Sequence, residues 1–206
     1  MLRFLMAVAL SMTMLSFSVL AEESTDAMFG LKWGMTPATI KKLGISLVKK
    51  EADRNFEDYT AKSLPKNISD VEFYLLRFSD GKLVKLVAFS ENITGDITGS
   101  QGKEKFEVLR NVLQKKYGAS TTPKRYQYTG NELYKEYDEF YQCLAYSGCG
   151  QWAEVFETPT KDIVISLVGI SRGTGFLKIN AEAVPDFSKA LEKYKTLKNS
   201  ADGNAL

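Results

Sequence analysis

Two runs of strand-forming residues, Val71 to Phe78 and Leu83 to Phe89, are separated only by Ser79-Asp80-Gly81-Lys82. Asp-Gly between two such runs predicts a type I′ hairpin, because that turn needs positive φ at both central residues. The arrangement recurs further on. Ile163-Val164-Ile165-Ser166-Leu167-Val168 reads as a buried strand, Arg172-Gly173-Thr174-Gly175 turns the chain, and Phe176 to Ala181 returns as a strand. Gln151 to Glu157 is their predicted upstream partner, joined through Thr158-Pro159-Thr160-Lys161, and Phe56 to Leu64 supplies another strand ending at Pro65. Runs of strands with few helices between them favour an antiparallel α+β fold over a parallel, doubly wound sheet.

The helices announce themselves by their ends. Thr36 is a good N-cap, with Pro37 at the first helical position. The short helix that follows is expected to carry Ile40 and Leu43 inward and Lys41 and Lys42 outward, and Gly44 stops it. The strongest helix spans about Lys103 to Tyr117, where Phe106, Leu109, Val112, Leu113 and Tyr117 form an apolar stripe at helical spacing. Lys115 and Lys116 suit its negative end, and Gly118 terminates it. Pro185 opens a last helix through Leu197, and Phe29 to Gly34 reads as a short strand burying Phe29, Leu31 and Trp33. The expected fold is α+β: an antiparallel sheet or sheets with two or three helices packed on one face. The order helix, strands, hairpin occurs twice, which admits two related α-plus-sheet halves.

Met1 to Ala21 reads as an export signal. Arg3 precedes an apolar stretch from Phe4 to about Leu15, and Val19 and Ala21 stand where a signal peptidase reads. Ser11, Thr13, Ser16 and Ser18 dilute the run below the roughly 20 strongly apolar residues of a stable spanning helix. No cysteine stands directly after Ala21 to take a lipid, and no later stretch is apolar enough to span a bilayer. The expected organisation is a cleaved signal at 1–21, one domain at 22–198 and a disordered tail at 199–206, in a periplasmic or secreted protein. About 185 residues remain after cleavage, enough for one domain with a real core.

In an oxidising compartment Cys143 and Cys149 are expected to form a disulfide, and their spacing is not that of a Cys-x-x-Cys redox motif. The chain has no histidine. That removes Ser-His-Asp and Cys-His catalysis and histidine-rich zinc or copper sites. A formal net charge of +2 gives no electrostatic reason to expect nucleic acid or an anionic membrane as partner. Gly95, Gly99 and Gly102-Lys103 fail as a phosphate loop: Ile97 stands where the first glycine belongs and Glu104 where Ser or Thr belongs. No cofactor, metal site or catalytic residue is expected.

Glu132, Glu136, Asp138 and Glu139 cluster, and a carboxylate pair can serve glycoside hydrolysis when held about 5 to 9 Å apart across a cleft. Leu133, Tyr137, Phe140, Tyr141 and Leu144 fall at helical spacing, however, which points those acids to water. The most individual region is Tyr126 to Phe156, which holds seven further aromatics between its ends: Tyr128, Tyr134, Tyr137, Phe140, Tyr141, Tyr146 and Trp152. Its residues leave two readings open. It is an aromatic core under a stapled loop, or a recognition surface, since Tyr and Trp give large contact area at low entropy cost. On the second reading Tyr137, Tyr141, Tyr146 and Trp152 are the anchors. Arg172 in its glycine-flanked turn can place a guanidinium on an anion, although the turn alone explains the glycines.

Phe29-Gly30-Leu31-Lys32-Trp33-Gly34-Met35-Thr36, with Ile40 and Leu43-Gly44 behind it, resembles the opening of families of small exported bacterial proteins. Gly34-Met35-Thr36 and its helix are also similar to the start of the outer-membrane assembly lipoproteins of the SmpA/BamE type and of the β-lactamase-inhibitor-like fold. The resemblance implies a helical unit against an antiparallel sheet and action by binding other proteins; it supplies no functional residues. The function expected is therefore a non-enzymatic binding protein of the bacterial envelope with an envelope or secreted protein as partner, inhibitor-like or immunity-like. The alternatives are a hydrolase acting through Glu136 and Asp138, or an outer-membrane assembly or structural factor.

Overall fold

A computed structural model describes residues 25–121, 133–204 and the backbone of 126–128. The export signal at 1–21 and Glu132 lie outside the described residues. The elements in chain order are α1 (Pro37–Lys42), β1 (Val48–Asp53), β2 (Phe56–Ala61), β3 (Val71–Ser79), β4 (Lys82–Ser90), α2 (Ser100–Tyr117), β5 (Tyr126–Tyr128), α3 (Phe140–Ala145), β6 (Gln151–Glu157), β7 (Lys161–Ser171), β8 (Thr174–Ala183) and α4 (Asp186–Asn204).

The strands form one eight-stranded sheet in the order β1-β2-β3-β4-β8-β7-β6-β5. Every neighbouring pair is antiparallel. The first four strands and the last four are each a meander, and their final strands, β4 and β8, pair at the centre with Val87 opposite Asn180. Each meander follows a helix that ends at a glycine of positive φ, Gly44 in one case and Gly118 in the other. The fold is α+β, and each half of the sheet is a four-stranded meander, the second carrying α3 between its first two strands.

The local signals act as their chemistry dictates. Asp80 and Gly81 adopt φ of 49° and 74°, the left-handed pair a type I′ turn demands. Thr36 caps α1 by accepting from the Thr39 amide at 3.2 Å. Three helices, α1 to α3, contribute to the larger core on one face, through Ile40, Phe106, Leu113, Phe140 and Tyr141. The fourth helix covers part of the opposite face. A bulge makes this possible: Phe78 pairs with Leu83 but Arg77 with Lys85, so Val84 is an extra residue. It turns away from Leu83 and Leu86 and joins Phe56, Phe187 and Ala190 in a second, smaller core under α4.

Several expectations need correction. Phe29 to Gly34 is no strand. Phe29 and Gly30 have φ of 54° and 82°, the Leu31 amide donates to the Met28 carbonyl at 3.0 Å, and the Phe-Gly pair is itself a tight turn. Phe29 and Leu31 are nevertheless buried. β1 was not expected, because its sequence VKKEAD carries the charges of a sheet edge. Leu43 is 50% exposed and Val112 58% exposed, although both were expected to point inward. The stripe from Leu133 to Leu144 is not one helix: α3 starts only at Phe140, and Tyr134 has a φ of 55°. Finally, α4 runs on to Asn204, so the residues from 199 to 204 are helical. Among the described residues no helix is long and apolar enough to cross a membrane.

Candidate functional site

A six-residue helix such as α3 has too few internal hydrogen bonds to persist alone. Its neighbours hold it, and they do so through glycine. A Cβ at Gly169 on β7 would stand 1.8 Å from the Tyr141 carbonyl oxygen and 2.8 Å from the Ala145 nitrogen. A Cβ at Gly175 would lie 2.2 Å from the Tyr141 ring, one at Gly99 2.0 Å from the Phe140 ring, and one at Gly102 2.2 Å from the Tyr141 hydroxyl. Four glycines from two strands and one helix start thus form a slot, and Phe140-Tyr141 is the plug. Gly99, Gly102 and Gly175, which the sequence placed in a loop and a turn, are packing positions.

The plug is pinned by a buried carboxylate. Asp96 Oδ2 accepts from the Tyr141 hydroxyl at 2.8 Å and from the Gly102 amide at 2.9 Å, and Oδ1 accepts from the Ser100 hydroxyl at 3.2 Å. Burial alone pushes the Asp96 carboxyl up; the donors from Gly102, Tyr141, Gln101 and Ser100 together outweigh it and hold it below its ordinary value. Burial, followed by the bond to Asp96, pushes the Tyr141 phenol far above its ordinary value. Both groups move away from neutrality, the wrong direction for proton transfer near pH 7. Asp96 also fills the N-terminus of α2, beside the Gly102-Lys103 pair of the failed phosphate-loop pattern. Lys103 lies 4.0 Å from the Phe140 ring centre and 5.1 Å from that of Trp152, which meet edge to face at 5.4 Å. Burial, partly offset by Asp96, lowers its pKa.

The predicted anchors separate into two groups. Tyr141 is fully buried and cannot be a surface anchor. Trp152 is half-buried and packs against the larger core. Tyr137 is 80% exposed and Tyr146 52% exposed, and Leu133, which sequence reasoning assigned to an apolar stripe, is 54% exposed. Cys143 and Cys149 form a disulfide whose two residues are buried beneath them. Closing so short a loop removes unfolded-state entropy worth about 2 kcal/mol. Tyr134 meets Tyr146 edge to face with ring centres 5.9 Å apart. The backbone of Tyr126 and Tyr128 pairs with β6.

Two of the three described acids are engaged. Asp138 is bound by Arg172, which ties this segment to the β7–β8 turn and occupies the guanidinium that had suggested an anion site. The Glu139 carboxylate accepts from the Glu136 amide at 3.1 Å. Among the described residues no group of three or more Cys, Asp and Glu is placed to hold a metal ion.

No sequence pattern announced a groove of about 890 Å³ between α2 and the sheet. Ala88, Leu177 and Ile179 line it from the sheet, Val108 and Val112 from α2, and Met28 from the opposite side. Lys105 and Asp70 pair at 2.7 Å among its lining residues. Its volume falls in the range of small-molecule sites, and its lining mixes apolar with charged side chains. The signal that could have revealed it is the second apolar line of α2, Val108 and Val112, beside the buried one.

Compared with protein-family models, with curated proteins and with solved structures, the chain has no match.

Proposed function

We propose that this chain is an exported, non-enzymatic binding protein of the bacterial envelope, and that it captures a protein partner through the stapled segment 133–149 in the manner of an inhibitor or immunity protein. The observation that carries the reading is the exposure of Leu133, Tyr137 and Tyr146 on a disulfide-braced element whose base is locked into the sheet. Exposed apolar and aromatic side chains on a flexible loop would lose entropy on binding; here the fold has already restricted the backbone that carries them. Tyrosine adds a polar handle that tolerates water in the free state. The export reading of Met1 to Ala21 supports the compartment, because a disulfide persists in an oxidising one.

The test compares wild-type protein with Tyr137→Ala and Tyr146→Ala as bait in its own envelope extract. Both positions are exposed, so both variants are expected to keep the wild-type unfolding midpoint within about 0.5 kcal/mol. Each is expected to weaken capture of whatever wild type retains by about tenfold or more, as truncation of a central aromatic anchor does. Unchanged capture by the folded double variant removes the proposal. The hydrolase alternative finds no support in the bound state of Asp138, and stable co-purification with outer-membrane components distinguishes an assembly factor.

A further inference from the structure

The face of the sheet opposite the larger core is only partly covered by α4, which packs at Phe56 and Val84. Away from α4, three polar side chains lie together beside Phe89, Val87 and Val164. Lys178 on β8 stands directly opposite Ser166 on β7 and opposite Phe89 on β4. In the next row Asn180 stands between Val164 and Val87. Lys178, Ser166 and Asn180 line one depression of about 290 Å³.

None of the three is fully satisfied by partners within the protein. Lys178 is half-buried, and no hydrogen bond or ion pair is made by its ammonium among the described residues. The acid two rows from Lys178, Glu182, is engaged instead by Lys85 at 2.7 Å. Burial, and then the charge of Lys85, lowers the Lys178 pKa, as expected where a cation lacks a counter-charge. The Asn180 amide nitrogen donates to Glu182 Oε1 at 3.0 Å. That bond fixes the amide and leaves Asn180 Oδ1, which is buried, without a donor. Ser166 Oγ is also buried without a partner. Orphaned buried polar atoms are uncommon in folded proteins, and two from residues of one depression beside an uncompensated cation call for a ligand.

The complement of these groups is specific. Lys178 offers a charged donor, Ser166 a hydroxyl that donates or accepts, and Asn180 an acceptor fixed in direction. Neighbouring strands are about 4.8 Å apart and alternate residues of a strand about 7 Å apart, so one small molecule spans all three. An ammonium donor for Asn180 would meet repulsion from Lys178 and Lys85, so the donor must be neutral. We propose that this depression binds a carboxylate carrying a neutral O–H or N–H donor on the adjacent carbon, either a 2-hydroxy acid or the terminal residue of a peptide. The carboxylate sits on Lys178 and Ser166, and the donor reaches Asn180 Oδ1.

The experiment titrates glycolate, N-acetylglycine and acetate into isotope-labelled full-length mature protein and follows its NMR resonances. Saturable shifts centred on Ser166, Lys178 and Asn180 are expected with glycolate or N-acetylglycine. Saturation by the first alone identifies a free hydroxy acid as the ligand type, and by the second alone a peptide terminus. Acetate lacks the donor and is expected to bind several-fold more weakly. Lys178→Met keeps the apolar stem and is expected to lower affinity about tenfold or more. Ser166→Ala is expected to lower it several-fold and decides the matter if Lys178→Met does not fold. Shifts spread over surface lysines, acetate binding as tightly as glycolate, or unchanged affinity in the folded variants would each overturn the proposal.

Discussion

Tyr141 shows how one side chain can be misassigned for a good reason. An aromatic with a hydroxyl suits a surface, but here the hydroxyl has a partner inside, Asp96, and so the ring can be buried without loss. Tyr141→Phe keeps the ring and removes one donor from a buried carboxylate, which is expected to cost about 1.5–3 kcal/mol in urea unfolding at neutral pH. The pH dependence follows from the direction of the Asp96 shift. Its folded pKa lies below the unfolded value of about 3.9, so its contribution is fully present above that value and is lost as pH falls through the lower folded pKa. Removing the Tyr141 donor narrows the gap between folded and unfolded pKa. The difference in stability between wild type and Tyr141→Phe should therefore shrink on acidification through that window. A difference independent of pH would mean that the hydroxyl acts on something other than the ionised Asp96. Lys161 is a second buried polar residue with its needs met: its ammonium donates to the Ala27 carbonyl at 2.9 Å and lies 3.2 Å from the Asp26 carboxylate, so a core-facing lysine anchors the N-terminal turn.

At the scale of elements, the glycine slot predicts a graded series. The Cβ of Gly169→Ala would meet main-chain atoms of α3, which cannot move without undocking the helix. The Cβ of Gly102→Ala would meet the tip of Tyr141 and the side chain of Leu167, which have some freedom, and the substitution recovers up to about 1 kcal/mol of helix propensity in α2. Gly169→Ala is expected to destabilise by more than about 3 kcal/mol and Gly102→Ala by clearly less, measured by denaturant midpoints. Loss of the Tyr146 near-UV signal before global unfolding in Gly169→Ala would report the undocking directly. The elements that the sequence made legible are those whose cause is local: the Asp80-Gly81 turn, the Thr36-Pro37 cap, the apolar stripe through Phe106 and Leu113, and the short-range cysteine pair. Those it concealed are set by distant neighbours. Gly30 packs so closely on Pro65 that a Cβ would lie 2.9 Å from its side chain, which helps to place a turn where alternation suggested a strand. Gly169 is a strand residue whose purpose becomes visible only when Tyr141 is placed against it. Tyr137 and Tyr146 were separable from Tyr141 by nothing in their own residue type.

At the scale of the whole molecule, repetition of helix, strands and hairpin was readable along the chain, but the joint between the halves was not. The pairing of β4 with β8 brings together residues such as Leu86 and Ala181 that no local pattern connects. The larger core then continues across this joint: Tyr59 and Leu76 from the first meander and Phe156 and Ile165 from the second belong to one cluster. A half removed from this arrangement would expose the apolar face of its last strand and one side of its core. The halves should therefore unfold together. The two tryptophans report on this separately, because Trp33 packs on the core from the first half and Trp152 from the second. Trp152→Phe leaves Trp33 as the fluorophore, and Trp33→Phe leaves Trp152. Leu86→Ala, at a fully buried position on β4, should cost about 2–5 kcal/mol. Introduced into both single-tryptophan backgrounds, it is expected to lower the fluorescence midpoint by the same amount in each, coincident with the far-UV dichroism midpoint. A shift confined to Trp33, with Trp152 unfolding at its original denaturant concentration, would mean that the β4–β8 seam joins two independent folding units and that the shared core does not couple them.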